Sequence, residues 1–157
     1  MSQKIKIIVD TREKDPLTFR EYECSTGIDT MDAGDYSICG FDRPEDDESI
    51  IIERKRDCKE LVSNLVQKWD VFSRELEILS KYKHKYIVVC GPNNFPFLYS
   101  RGFTKVHPSF VYCKLAEIMM NYQIPIIFAS SREDAENIIF RLFKQVIKND
   151  EKSYYQT

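Results

Sequence analysis

The stretch Ser49-Ile50-Ile51-Ile52-Glu53-Arg54-Lys55-Arg56-Asp57 decides how this chain folds. Three β-branched apolar residues run directly into a glutamate, an arginine and a lysine. The run is apolar on both faces, as in a strand interior to its sheet. Uncompensated charge is costly inside a core. The charged end of this strand is therefore expected at the edge of a cleft, with partners close by. Residues two apart on a strand share a face, so Glu53 and Lys55 project together and Arg54 points away from them.

Upstream, residues 42–48 carry five acids in seven positions around Pro44, the composition of a solvated hairpin tip. Before it, Asp35 to Cys39 reads as a strand following a turn over 29–34 and stopping at Gly40. If 35–39 and 49–54 pair through the acidic loop, Asp35 and Glu53 become neighbours across the ladder. The chain opens with a strand over residues 4–9 that ends at Asp10. A polar loop over 11–20 and a short strand at Tyr22 to Cys24 follow.

Downstream, apolar residues recur every three or four positions from Asp57 to Tyr82, predicting a helical stretch that Asp57 or Ser63 caps or breaks. Residues 85–90 form a strand closed by Gly91-Pro92, and 93–106 are irregular. His107-Pro108-Ser109 opens a helix with Phe110, Leu115, Ile118 and Met119 as its buried candidates. Residues 124–128 form a strand. Ser130-Ser131-Arg132-Glu133 caps a last helix that buries Ala135, Ile138, Ile139, Leu142, Phe143 and Val146. The order predicts one α/β domain over 1–148, a mixed central sheet flanked by helices, followed by a flexible polar tail over 149–157.

The bulk numbers fit. The chain has 157 residues, 43% apolar and 31% charged, with a net charge of −2. That balance describes an ordinary globular domain, and the small net charge is weak evidence about nucleic acid because a ligand meets local charge. No apolar run approaches a membrane span, and the N-terminus has no signal-peptide pattern. An intracellular setting is expected: cytoplasm, or a nucleus or viral replication site. The five cysteines lack CxxC spacing and read as reduced apolar fillers. Neither histidine is assigned a catalytic role. Arg74 and Glu75 are placed on the exposed side of their helix.

Two carboxylates brought together repel, and each titrates upward unless a cation lies between them. Mg²⁺ suits such a site, being hard and content with one or two carboxylates plus waters and phosphate oxygens. A lysine beside it can orient or help deprotonate water, or steady a phosphoryl transition state. Asp35, Glu53 and Lys55 thus suit phosphodiester hydrolysis. Asp10 could add a third oxygen, and Arg12 and Glu13 could support the ligands or grip a phosphate. Taken singly, each signal is ordinary: Glu-x-Lys is usually a solvated pair and Gly-Asp a common turn. Their order at strand ends, with complementary charges, is what gives them weight.

These residues also carry a family likeness. "VDTRE", "GDY" and "IIERKRD", in that order, resemble the nuclease domain of the XPF/Mus-type structure-specific endonucleases. That group is a branch of the restriction-endonuclease-like, PD-(D/E)xK superfamily with a GD…ERK signature. "KELVSNL", "FSRELEIL", "YIVVCG" and the segment from His107 to Phe143 extend the likeness over about residues 5–147. The resemblance implies a metal-binding role for Asp35 and Glu53, a catalytic role for Lys55, and upstream site roles for Asp10, Arg12 and Glu13. Arg54 matches the middle of ERK and, like Arg12, is a candidate to contact a phosphate. It further implies Mg²⁺ or Mn²⁺, cleavage of branched or flapped DNA in repair or recombination, and a homodimer. The acid that the family often carries four residues after the ERK lysine is replaced by Lys59, with Glu60 one residue later. The larger members carry tandem helix-hairpin-helix or helicase modules, so this chain is expected to be a compact stand-alone version. It then grips DNA through this domain, a dimer or a partner. Two other readings remain open: a non-catalytic DNA-binding partner subunit, and a nuclease of related fold acting on RNA or plain duplex ends.

Overall fold

The apolar-then-charged stretch is an interior strand of a six-stranded mixed sheet. The computed structural model describes residues 4–155. In chain order the elements are β1 (Ile5–Asp10), β2 (Cys24–Asp29), β3 (Tyr36–Ile38), β4 (Ile50–Lys55), α1 (Cys58–Val66), α2 (Trp69–Leu79), β5 (His84–Cys90), α3 (Phe95–Ser100), α4 (Pro108–Asn121), β6 (Ile126–Ala129) and α5 (Arg132–Tyr154). The sheet order is β2-β1-β3-β4-β5-β6. β3 runs antiparallel to both β1 and β4, while β4, β5 and β6 run parallel. The expected pairing of β3 with β4 through the acidic loop therefore holds.

Alternation along β4 builds the core on both faces. Ile51 packs with α1, α2 and α4 through Leu61, Leu65, Phe72, Leu76, Leu115 and Ile118. Ile50 and Ile52 pack on the other face with Ala135, Ile139 and Phe143 of α5. All three isoleucines are fully buried. The charges that follow are nearly as buried: Glu53, Arg54 and Lys55 are only 7%, 5% and 4% exposed. Among the described residues no helix is long and apolar enough to cross a membrane.

Several boundaries differ from the sequence-based expectation. The second strand lies at Cys24–Asp29, not at Tyr22 to Cys24, and takes up the first residue of the expected turn. Its Ser, Thr, Gly and Asp residues make no apolar alternation; pairing with β1 at the sheet edge alone defines it. Within 93–106 a six-residue helix forms, anchored by just Phe95 and Leu98. The long helical stretch breaks where Gln67 and Lys68 both donate to the Ser63 carbonyl at 2.9 and 3.1 Å. Asp57 caps α1 by accepting from the Glu60 N–H. In α4 the buried stripe is Val111, Leu115 and Ile118, which rotates Phe110 and Met119 out to 45% and 44% exposure. α5 continues to Tyr154, through most of the expected tail. Cys58 is a core filler, whereas Cys39 and Cys113 are exposed.

Gly34 sets the position of the residue after it. Its φ is +84°, a backbone region that side chains disfavour, and an added Cβ would lie 2.6 Å from Ile51 Cδ1. Gly34→Ala is therefore expected to cost roughly 2–5 kcal/mol through backbone strain and overpacking. Urea unfolding checks this; a midpoint unchanged from wild type contradicts it.

Candidate active site

Glu53 and Lys55 leave β4 on the face of Ile51, as their spacing predicts. The Lys55 ammonium sits 2.9 Å from Glu53 Oε1 and 4.5 Å from the centre of the Phe72 ring on α2. Asp35 comes to them from β3. Its N–H donates to the Ile52 carbonyl at 2.8 Å, and its Oδ2 accepts the Arg54 N–H at 2.7 Å. The carboxylate thus closes the end of the β3–β4 ladder beside Glu53. Among the described residues no hydrogen bond falls on Asp35 Oδ1 or Glu53 Oε2.

Burial and crowding set the electrostatics. Burial pushes the Asp35 carboxyl well above the usual range, and the neighbouring Glu53 charge adds to that. Glu53 is also pushed up, again chiefly by burial. Lys55 opposes the rise, and Glu75 and Glu60 reinforce it. Burial alone would lower Lys55, but Glu53, Glu60 and Asp35 outweigh it and keep the ammonium charged. The pair is therefore asymmetric: the lysine gains from its partner while the glutamate remains strained by its surroundings.

The upstream residues divide into two groups. Asp10 lies beside Asp35 along the sheet, its N–H donating to the Asp35 carbonyl at 2.9 Å. Its carboxylate accepts from the Arg12 N–H (2.9 Å), Arg12 Nε (2.8 Å), Arg12 Nη2 (3.2 Å) and the Met31 N–H (2.9 Å). Burial favours protonating Asp10, yet these bonds together hold its carboxyl below the usual range. Its oxygens clamp the loop instead of joining Asp35 and Glu53. Among the described residues no three such side chains gather around one point in a way that could hold a metal ion.

Arg54 points to the opposite face, as expected, but does not present itself to a phosphate. It donates to the Asp15 carbonyl (2.7 Å) and to Cys90 Sγ (3.3 Å), and it lies 3.6 Å from Glu13 Oε2. Glu13 also accepts from the Tyr36 hydroxyl at 3.4 Å. This network braces the loop that carries Arg12. The Arg12 side chain itself remains 61% exposed.

Two acids acquire meaning only in three dimensions. Glu75, expected on the outer side of its helix, is half-buried, and its charge acts on both Glu53 and Arg12; Arg74 is exposed as expected. Glu75 lies three positions after Phe72, the ring beneath Lys55, and that spacing was the available signal. Glu60 accepts from the Arg56 N–H (2.9 Å) and Arg56 Nε (3.2 Å), and its charge reaches Glu53 and Lys55. His107 caps α4, its Nδ1 accepting from the Ser109 N–H at 3.1 Å.

A mixed six-stranded sheet flanked by helices defines an α/β fold, and two acids and a lysine lie at the ends of its interior strands. The chain belongs to the ERCC4 domain family, the XPF/Mus-type nuclease domains, whose model matches residues 9–142. XPF from Aeropyrum pernix, solved in complex with DNA, superposes with a TM-score of 0.71 at 20% identity, covering 93% of this chain and 66% of that one. A second structure of that XPF gives 0.65 at 19% identity, covering 89% and 60%. A Methanocaldococcus jannaschii protein named as an ATP-dependent RNA helicase is 25% identical over 138 residues. The match takes in 88% of this chain but 15% of that much longer protein.

Proposed function

We propose that the domain is a metal-dependent endonuclease that hydrolyses phosphodiester bonds in branched, flapped or forked DNA and works as a homodimer. The observation that carries this reading is the convergence of Asp35, Glu53 and Lys55 at one end of β3 and β4. Two hard oxygen donors, both strained by burial and by neighbouring carboxylates, fit Mg²⁺ or Mn²⁺, which one or two carboxylates can hold. When bound, such an ion supplies Lewis-acid polarisation of the phosphate and a more acidic water. Asp35 and Glu53 are the residues to hold it, and Asp10 could join only on releasing Arg12. Lys55 keeps its charge at neutral pH and orients water or steadies the negative charge of the phosphoryl transition state. Arg12, whose Nε and Nη2 bond Asp10 but whose side chain stays 61% exposed, is a cation that can meet a phosphate. Glu13 and Arg54 keep its loop in place. The DNA held by the Aeropyrum XPF supports a DNA substrate.

The test is a cleavage panel of fork, flap, Holliday junction, duplex and single strand, plus an RNA fork, each with Mg²⁺, Mn²⁺ or chelator. Cleavage of the branched DNAs, at least about tenfold faster than of duplex and absent in chelator, is expected, with sedimentation at twice the 18.6 kDa chain mass. Binding without cutting would mark a DNA-positioning partner subunit instead. A preference for RNA or plain duplex ends would mark a related nuclease.

A further inference from the structure

Outside the acids, the most unusual surface is the short helix α3 and the turn after it. Phe97, Tyr99 and Phe103 are 49%, 42% and 61% exposed, on a segment that buries only Phe95 and Leu98. Each exposed ring has a polar or cationic neighbour. Arg101 lies 5.4 Å from the Phe97 ring centre, Lys59 lies 4.4 Å from that of Phe103, and His107 stacks edge-on to Tyr99 at 5.2 Å. The charge is one-signed: from Ile78 to Ala116 the sequence has no aspartate or glutamate, although the whole chain is acidic. Arg101 and Lys105 both fall on the exposed turn.

The position is informative too. α3 follows the end of β5 that lies beside Lys55, since Lys55 pairs with Val89 in parallel register. Cys58 Sγ at the start of α1 bonds to the Pro92 carbonyl at 3.1 Å, tying the two segments together. Lys59, which covers Phe103, is adjacent to Glu60, whose charge reaches Glu53 and Lys55.

Exposed rings flanked by cations, on a segment that itself carries no acid, suit a strand whose bases are unpaired. Bases stack on the rings while the cations meet the phosphates. A duplex hides its base faces and cannot use such a surface. We infer that Phe97, Tyr99 and Phe103, with Arg101, Lys105 and Lys59, form a stacking platform for single-stranded DNA and hold the unpaired arm of the substrate beside the catalytic end of the sheet. This rests on the proposed action at branched DNA, and it names the element that recognises the branch.

The experiment measures fluorescence anisotropy of a labelled oligothymidylate in chelator, so that binding is read apart from cleavage. Phe97→Ala/Phe103→Ala alters only half-exposed rings and is expected to weaken binding roughly 10- to 100-fold. Arg101→Glu/Lys105→Glu is expected to lower the salt slope by about 0.7 for each phosphate that is no longer neutralised. Arg141→Glu/Lys148→Glu, on exposed positions of α5 against the other face of the sheet, should stay within about threefold of wild type. Full affinity in the aromatic variant, an equal loss in Arg141→Glu/Lys148→Glu, or tighter binding of oligouridylate RNA would each overturn the platform. So would an aromatic variant that loses self-association but keeps oligonucleotide affinity, because the surface would then join two copies of the chain. If wild type binds the strand but cuts nothing, the platform stands and the nuclease reading falls. If branched DNA is cut while the aromatic variant binds normally, the reverse holds.

Discussion

Asp35→Asn loses cleavage by on the order of 10³-fold or more, yet melts above wild type in chelator at pH 7.5. Asparagine can still accept the Arg54 N–H that Asp35 Oδ2 accepts at 2.7 Å, so the β3–β4 junction is preserved. What disappears is a negative charge that burial, and then Glu53, make unfavourable. The sign follows from linkage. The folded carboxyl titrates above its unfolded value, so its contribution to stability is full at pH values below that unfolded value. The contribution is lost as pH rises through the folded value. The variant never ionises, so its advantage is near zero around pH 3 and grows toward neutrality. Each kcal/mol relieved raises the melting temperature by about 2–4 °C for a chain of this size. Added Mg²⁺ should raise the wild type and leave the variant nearly unmoved. A variant that melts below wild type in chelator at pH 7.5, or that cuts at the wild-type rate, defeats the assignment.

Much of this site was legible in one dimension because strand geometry is rigid. The two-residue period alone placed Glu53 with Lys55 and against Arg54. The apolar run before them placed β4 inside the sheet, and the acidic hairpin brought Asp35 alongside. Features that depend on partners far along the chain were not legible. Asp10 was a reasonable third donor, but its oxygens are taken by Arg12 and the Met31 N–H, and the second of these bonds exists only because the chain returns after β2. Arg54 was offered to a phosphate, but the Asp15 carbonyl and Cys90 hold it on the far face. Glu75 reads as a surface residue on α2 until Lys55 is seen resting on Phe72 from the same helix. β2 and α3 lack the apolar periodicity that marks the other elements, since one is an exposed edge and the other has two anchors.

Lys55→Met separates what the lysine does for stability from what it does for chemistry. Methionine keeps an apolar stem over Phe72 and removes the ammonium. Glu53, only 7% exposed and already strained by Glu75 and Glu60, is left without its cation. Breaking one side of a buried pair costs about 3–5 kcal/mol, so a fall of roughly 6–20 °C in melting temperature is expected. Cleavage should drop by about 10²- to 10³-fold. The unpaired Glu53 carboxyl then titrates still higher, so the deficit should shrink as pH falls toward about 4, where protonation removes the buried charge. Glu53→Gln/Lys55→Met carries no charge at either position and should recover most of the lost stability while remaining inactive. A double variant as unstable as the sum of the two singles would show that the residues do not depend on each other. If it recovers, the charged pair is dispensable to the fold. Its retention at the mouth of a buried strand then has to be explained by chemistry at the end of β4.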